Sequence, residues 1–79
     1  AAVEANADDH QSRLDLALAL SASGDNEGAI GELLELFRRD REWNEAAAKE
    51  QLIKIFDMLG PKDPVAQKGR RALSSMVFL

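Results

Sequence analysis

Four pairs of residues in this 79-residue chain stand 36 positions apart: Leu16 and Leu52, Leu20 and Phe56, Gly24 and Gly60, Ala29 and Val65. Self-similarity at a period of about 20–50 residues marks stacked supersecondary units, each too small to bury its own apolar face. The shared plan here is an apolar helix, a glycine turn, and a second helix entered by a small or β-branched residue. Two such hairpins laid against each other predict an all-α fold of four helices. No stretch shows the apolar–polar alternation that a half-buried strand requires.

Local signals set the boundaries. Asp8 and Gln11 have the spacing of a capping box, which predicts a first helix starting near Asp9. It runs through Leu14, Leu16, Ala17, Leu18 and Leu20 to Ser21 or Ala22, and Gly24 supplies the left-handed residue that ends it. Asp25 or Asn26 caps the second helix, in which Ile30, Leu33, Leu34 and Phe37 fall at i, i+3, i+4 and i+7. Arg38 and Arg39 lie at the end of that helix favoured by cations. Trp43-Asn44 makes the next break, with Asn44 as cap and Trp43 as a staple against Ala48. The third helix carries Ala48, Leu52, Ile55, Phe56 and Leu59 on one stripe and stops at Gly60-Pro61. Asp63 and Pro64 open the fourth, whose inner face holds Val65, Gly69, Ala72, Leu73 and Met76. Residues 1–8 carry no periodicity and read as a linker or frayed terminus, leaving residues 9–79 as the helical domain.

Composition narrows the function. A net charge of -4 and a pI near 4.8 leave no surplus of clustered Lys and Arg for phosphate, so nucleic acid is not an expected partner. Hydrophobic residues make up 46% of the chain, enough for a folded core. Yet no apolar run approaches the roughly 20 residues that span a bilayer, and no membrane partner is expected. The opening AAVEANADDH is small and acidic, where a signal peptide is basic and then apolar. Cysteine is absent. That removes disulfides, thiolate ligands and cysteine nucleophiles, and it suits a reducing cytoplasm.

The same scarcity argues against chemistry. His10 is the only histidine and tyrosine is missing; beside Asp8 and Asp9 at a helix start, His10 is expected to face solvent. Ser21, Ser23, Ser74 and Ser75 have no neighbouring base to activate them. No catalytic residue, cofactor or metal is expected. Gly24-Asp25-Asn26 precedes a helix N-terminus, but Asp25 and Glu27 would repel an anion there, so it reads as a turn. Arg38, Arg39 and Arg41, like Lys68, Arg70 and Arg71, read as solvated faces with intrahelical pairs such as Glu35 to Arg39.

The repeat resembles the tetratricopeptide repeat family. Leu16, Ala17, Leu20, Gly24-Asp25, Ala29 and Leu33 fall where that motif has its leucine, small residue, aromatic, turn, alanine and aromatic. Arg13 stands at the position usually held by Trp, Arg41 replaces the closing proline, and Gly69 occupies a site where a large residue is usual. The 36-residue offset also exceeds the family's usual ~34. The stretch from DHQSRLDLALALSASGDNEGAIGELLELFRRDREWNEAAAKEQLIKIFDMLG to RRALSSMVF is more specifically similar to the C-terminal repeat domain of bacterial thioredoxin-like co-chaperones, with DREWNEAAAKEQLIKIFDMLG as its most distinctive part. That resemblance implies a longer chain with an N-terminal thioredoxin-like domain, and a role in holding unfolded clients or handing them to a chaperonin.

Repeats of this kind bind along a concave face made by the first helix of each hairpin. The motif maps Gln11, Leu14, Asp15, Leu18 and Ser21 there, joined by Glu50, Gln51, Lys54 and Asp57. Members that clamp acidic tails need Lys, Arg and Asn at these positions; leucines and acids stand here instead, so that clamp is absent. Leu14 and Leu18 form an apolar strip that admits two readings. It grips an unfolded chain or a partner helix, or it packs against the N-terminal domain or a second copy in a homodimer. The ending SSMVFL divides in the same way. Met76 and Val77 continue the inner stripe, whereas Phe78 and Leu79 lie past it and either close the core or dock a partner. The candidate partner-binding residues are Leu14, Leu18, Phe78 and Leu79.

Overall fold

The computed structural model describes residues 9–77, which form four helices in two hairpins: α1 (His10–Ala22), α2 (Asn26–Arg39), α3 (Trp43–Leu59) and α4 (Pro64–Val77). The expected linker at residues 1–8, with Asp8, and the tail residues Phe78 and Leu79 lie outside the described residues.

Side-chain caps start three of the four helices. Asp9 accepts from the Ser12 backbone N–H at 3.0 Å and from its hydroxyl at 2.7 Å. These bonds, the hydroxyl one first, hold the Asp9 carboxyl below its ordinary value. Asp25 accepts from the Gly28 N–H at 2.9 Å, and Asp63 from the Val65 N–H at 2.8 Å, just ahead of Pro64. Each satisfies a donor that the first helical turn leaves unpaired. Gly24 and Gly60 both take positive φ, 95° and 93°, at the same place in their hairpins. That backbone is strained for any residue with a Cβ.

α3 begins differently. Asn44 does not cap it, and Glu42, which precedes it, makes no side-chain cap bond. Asn44, Glu45 and Ala46 instead form one left-handed turn with φ of 52°, 56° and 62°. Left-handed backbone costs about 1–2 kcal/mol per L-residue, with Asn tolerating it best. Trp43 is half-buried, but its ring meets His10 edge-on at 5.7 Å between centroids. His10 is therefore packed at the domain end rather than turned to solvent.

The core runs through all four helices. Leu14 and Ala17 meet Ala29, Ile30, Leu33, Leu36 and Phe37 of α2, then Ala48, Leu52, Ile55 and Phe56 of α3, then Ala66 and Leu73 of α4. α2 is the centre of this arrangement: it touches each of the other helices, and α3 packs more extensively on α2 than on its own partner α4. Gly69 makes the close approach of α4 feasible. A Cβ there would stand 2.6 Å from Phe56 Cε1 and 3.0 Å from Ile30 Cγ2.

Candidate partner-binding surfaces

Apolar residues occupy nearly every position of α1 from Leu14 to Ala19, so they surround the helix and packing hides only part of them. Leu14 and Ala17 are buried, at 8% and 0% exposure. Leu14 is therefore a core residue and not part of an open strip, because its side of α1 is the side that packs into the domain. Leu16 and Leu18 remain in solvent, 37% and 41% exposed. At 100° per residue these two flank the outer face of α1 on opposite edges. Leu18 lies toward Ala22 and Leu16 toward Ala19, with Asp15 between them.

The repeat register gives the Leu16 edge its meaning. Leu52 and Ile55 stand where Leu16 and Ala19 do, counted back from the matching glycines, and they are 0% and 5% exposed. α3 packs chiefly on α2, the second helix of the preceding hairpin, and both residues belong to the core that α2 shares with it. Nothing among the described residues covers the same face of α1. α3 contributes its own exposed apolar residues, Ile53 and Met58, and α4 contributes Val77. Of the residues mapped to the concave face, Glu50, Lys54 and Asp57 are exposed and Gln51 is half-buried.

The cations are mostly engaged. Arg38 bonds Glu35, its Nε at 2.9 Å, and Arg39 Nε lies 3.5 Å from the same carboxylate. The Arg38 hydrogen bond holds Glu35 below its ordinary value, and Glu35 in turn raises Arg38. Arg70 sits over the Phe56 ring at 5.1 Å and 3.6 Å from Asp57. Arg41 covers the Phe37 ring at 5.2 Å and donates to the Met76 carbonyl at 3.2 Å. Arg13 is the buried one: at the family's Trp position, it reaches Glu32 at 2.8 Å and leaves Nε without a partner. Its place in the motif was the one sequence signal of that burial. His10 Nε2 lies 3.8 Å from Asp40, while its Nδ1 is buried and unpaired. Among the described residues no group of three or more His, Cys, Asp or Glu is placed to hold a metal ion. No described helix is long and apolar enough to cross a membrane.

Two helical hairpins, glycine turns in register, and a first helix with an uncovered repeat face make a repeat protein. The tetratricopeptide repeat family model matches residues 1–78. The chain belongs to the tetratricopeptide repeat family. No curated protein and no solved structure matches it. As a member of this family it is a non-enzymatic module for protein–protein contact, and its surfaces are to be read as docking faces.

Proposed function

We propose that this tetratricopeptide repeat domain is the C-terminal docking module of a bacterial, cytoplasmic thioredoxin-like co-chaperone, binding unfolded clients or a chaperonin through apolar surface on α1. The observation that carries the docking surface is the contrast at one repeat position, Leu16 and Ala19 exposed against Leu52 and Ile55 buried. Leu18 adds a second apolar edge on the concave side, across Asp15, and Phe78 and Leu79 add a short apolar docking segment at the chain end. The thioredoxin-like context rests on the resemblance of the stretch from Asp9 to Phe78, most distinctive over residues 40–60. Exposed apolar side chains bind exposed apolar segments by removing both from water, about 25 cal/mol per Å² buried. The acidic surface keeps such a complex dispersed.

Aggregation of thermally unfolding citrate synthase, followed by light scattering, tests this reading. The domain is expected to suppress it, and Leu16→Ser with Leu18→Ser is expected to lose the suppression at an unchanged melting temperature. No suppression by the unsubstituted domain sinks the client-binding reading.

The Leu16–Ala19 edge also favours a second reading, because in the second hairpin that position holds a packed helix. The edge then seats the thioredoxin-like domain or a second copy, and the module orients a redox domain without a client of its own. A dimer whose mass by light scattering holds on dilution, and which dissociates on Leu16→Asp, supports this alternative.

A further inference from the structure

A second recess lies between the second helices of the two hairpins, away from the first-helix surface just described. One wall is a single stripe of α2, Glu27, Ile30, Gly31 and Leu34; the other is Val65, Lys68, Gly69 and Ala72 of α4, with Pro64 at its mouth. Its volume is about 420 Å³, within the range of about 300–1,000 Å³ typical of ligand sites. The floor is apolar. Glu27 on one wall and Lys68 on the other are both exposed, and neither has an ion-pair partner among the described residues.

Gly31 is the informative residue. It lies inside α2, where glycine is a poor helix former compared with alanine. Its neighbours do not require it: a Cβ built there meets nothing within 4 Å. Gly69 and Gly28 differ, since a Cβ at either would collide with Phe56 or with the capping Asp25 carboxylate. Contacts thus account for Gly28 and Gly69, whereas at Gly31 the absent side chain leaves the recess open. Both walls are helices with their backbone bonds satisfied internally, so an occupant is recognised by side chains and not by strand addition.

We propose that this groove docks an amphipathic helix of a partner protein, carrying apolar residues four apart that fill the recess, a basic residue for Glu27 and an acidic residue for Lys68. The interface is independent of the α1 surface, so the domain has two docking faces.

The test uses the 79-residue chain, labelled with ¹⁵N, and an acetylated, amidated alanine-based helix. The peptide bears two leucines four apart, an arginine on one flank of the leucine stripe and a glutamate on the other. Saturable amide shifts are expected at Ile30, Gly31, Leu34, Val65, Lys68 and Gly69, with Leu16 and Leu18 unmoved. Gly31→Ala is expected to raise the melting temperature while weakening the peptide, a sign opposition that a merely structural glycine would not give. Gly31→Leu fills the groove and is expected to weaken the peptide tenfold or more. Exchanging the two peptide charges is expected to weaken it about two- to fivefold, with recovery in the Glu27→Lys, Lys68→Glu double variant. The proposal is overturned if no saturable shift appears, if the shifts fall on α1, or if Gly31→Leu binds as well as the parent. Groove shifts on concentrating the protein alone would overturn it too, since the occupant would then be a second copy.

Discussion

The two hairpins follow one plan but bury different sides of their first helices. α1 turns Leu14 and Ala17 inward and leaves Leu16 and Ala19 in water; α3 buries Leu52 and Ile55 and leaves Ile53 exposed, although Ile53 stands where Ala17 does. The buried side has turned by roughly a third of a circle between them. The cause is the neighbour each helix has. α1 packs chiefly on its own partner α2, whereas α3 packs chiefly on the helix before it, which is again α2. In a stack of hairpins the burial of a side chain therefore depends on its place in the stack as much as on its place in the motif.

The largest test of that contrast is the leucine pair. Leu52→Ala is expected to cost about 2–5 kcal/mol, the usual range for emptying a packed core site, which is a large share of the stability of so small a domain. Leu16→Ala is expected to stay within about 0.5 kcal/mol in the isolated chain. Urea unfolding of both variants reads the difference directly, and equal losses would break the comparison. Next comes the point where the second hairpin closes on the first. Gly69→Ala drives a methyl group toward the Phe56 ring, itself 1% exposed with little room to move, and is expected to destabilise by about 1–3 kcal/mol. The left-handed turn that opens α3 has no counterpart in α1. Ala46→Gly is expected to stabilise by roughly 1 kcal/mol by relieving its positive φ, and a lower unfolding midpoint would contradict the strain.

Acid produces the smallest effect and again separates the hairpins. Asp9, through Ser12, and Glu35, through Arg38, have carboxyl groups held below their ordinary values of 3.8 and 4.5. Their contribution is present above those values and is lost as pH falls through the lowered folded ones. Both belong to the first hairpin. Amide exchange at pH 3 is therefore expected to show α1 losing protection relative to α3, beyond any difference seen at pH 6.

Much of this architecture is legible in the residues. Asp25 and Asp63 cap as their spacing predicts, Gly24 and Gly60 turn as the 36-residue register requires, and Leu52, Ile55 and Phe56 share the expected stripe. The readings that changed lie where local pattern leaves a choice open. α1 is apolar on all sides, so its composition does not select the buried face, and Leu14 reads as surface until a neighbour is placed beside it. Asn44 is an apt cap by type, yet it also tolerates left-handed backbone better than most residues, and the chain uses it that way. Arg13 and Glu32 lie far apart in sequence, and only the closing of the hairpin brings them together.

The central position of α2 also has a consequence in time. Its contacts with α1 are the most extensive between any two helices and span a single short turn, so the first hairpin has a ready partner as soon as it leaves the ribosome. α3 and α4 have no such independence, because much of what they bury is buried against α2. Synthesis from the N-terminus therefore lays down a template first and its followers afterwards. A chain starting at Arg41 is expected to remain unfolded, whereas one ending at Asp40 keeps partial helicity.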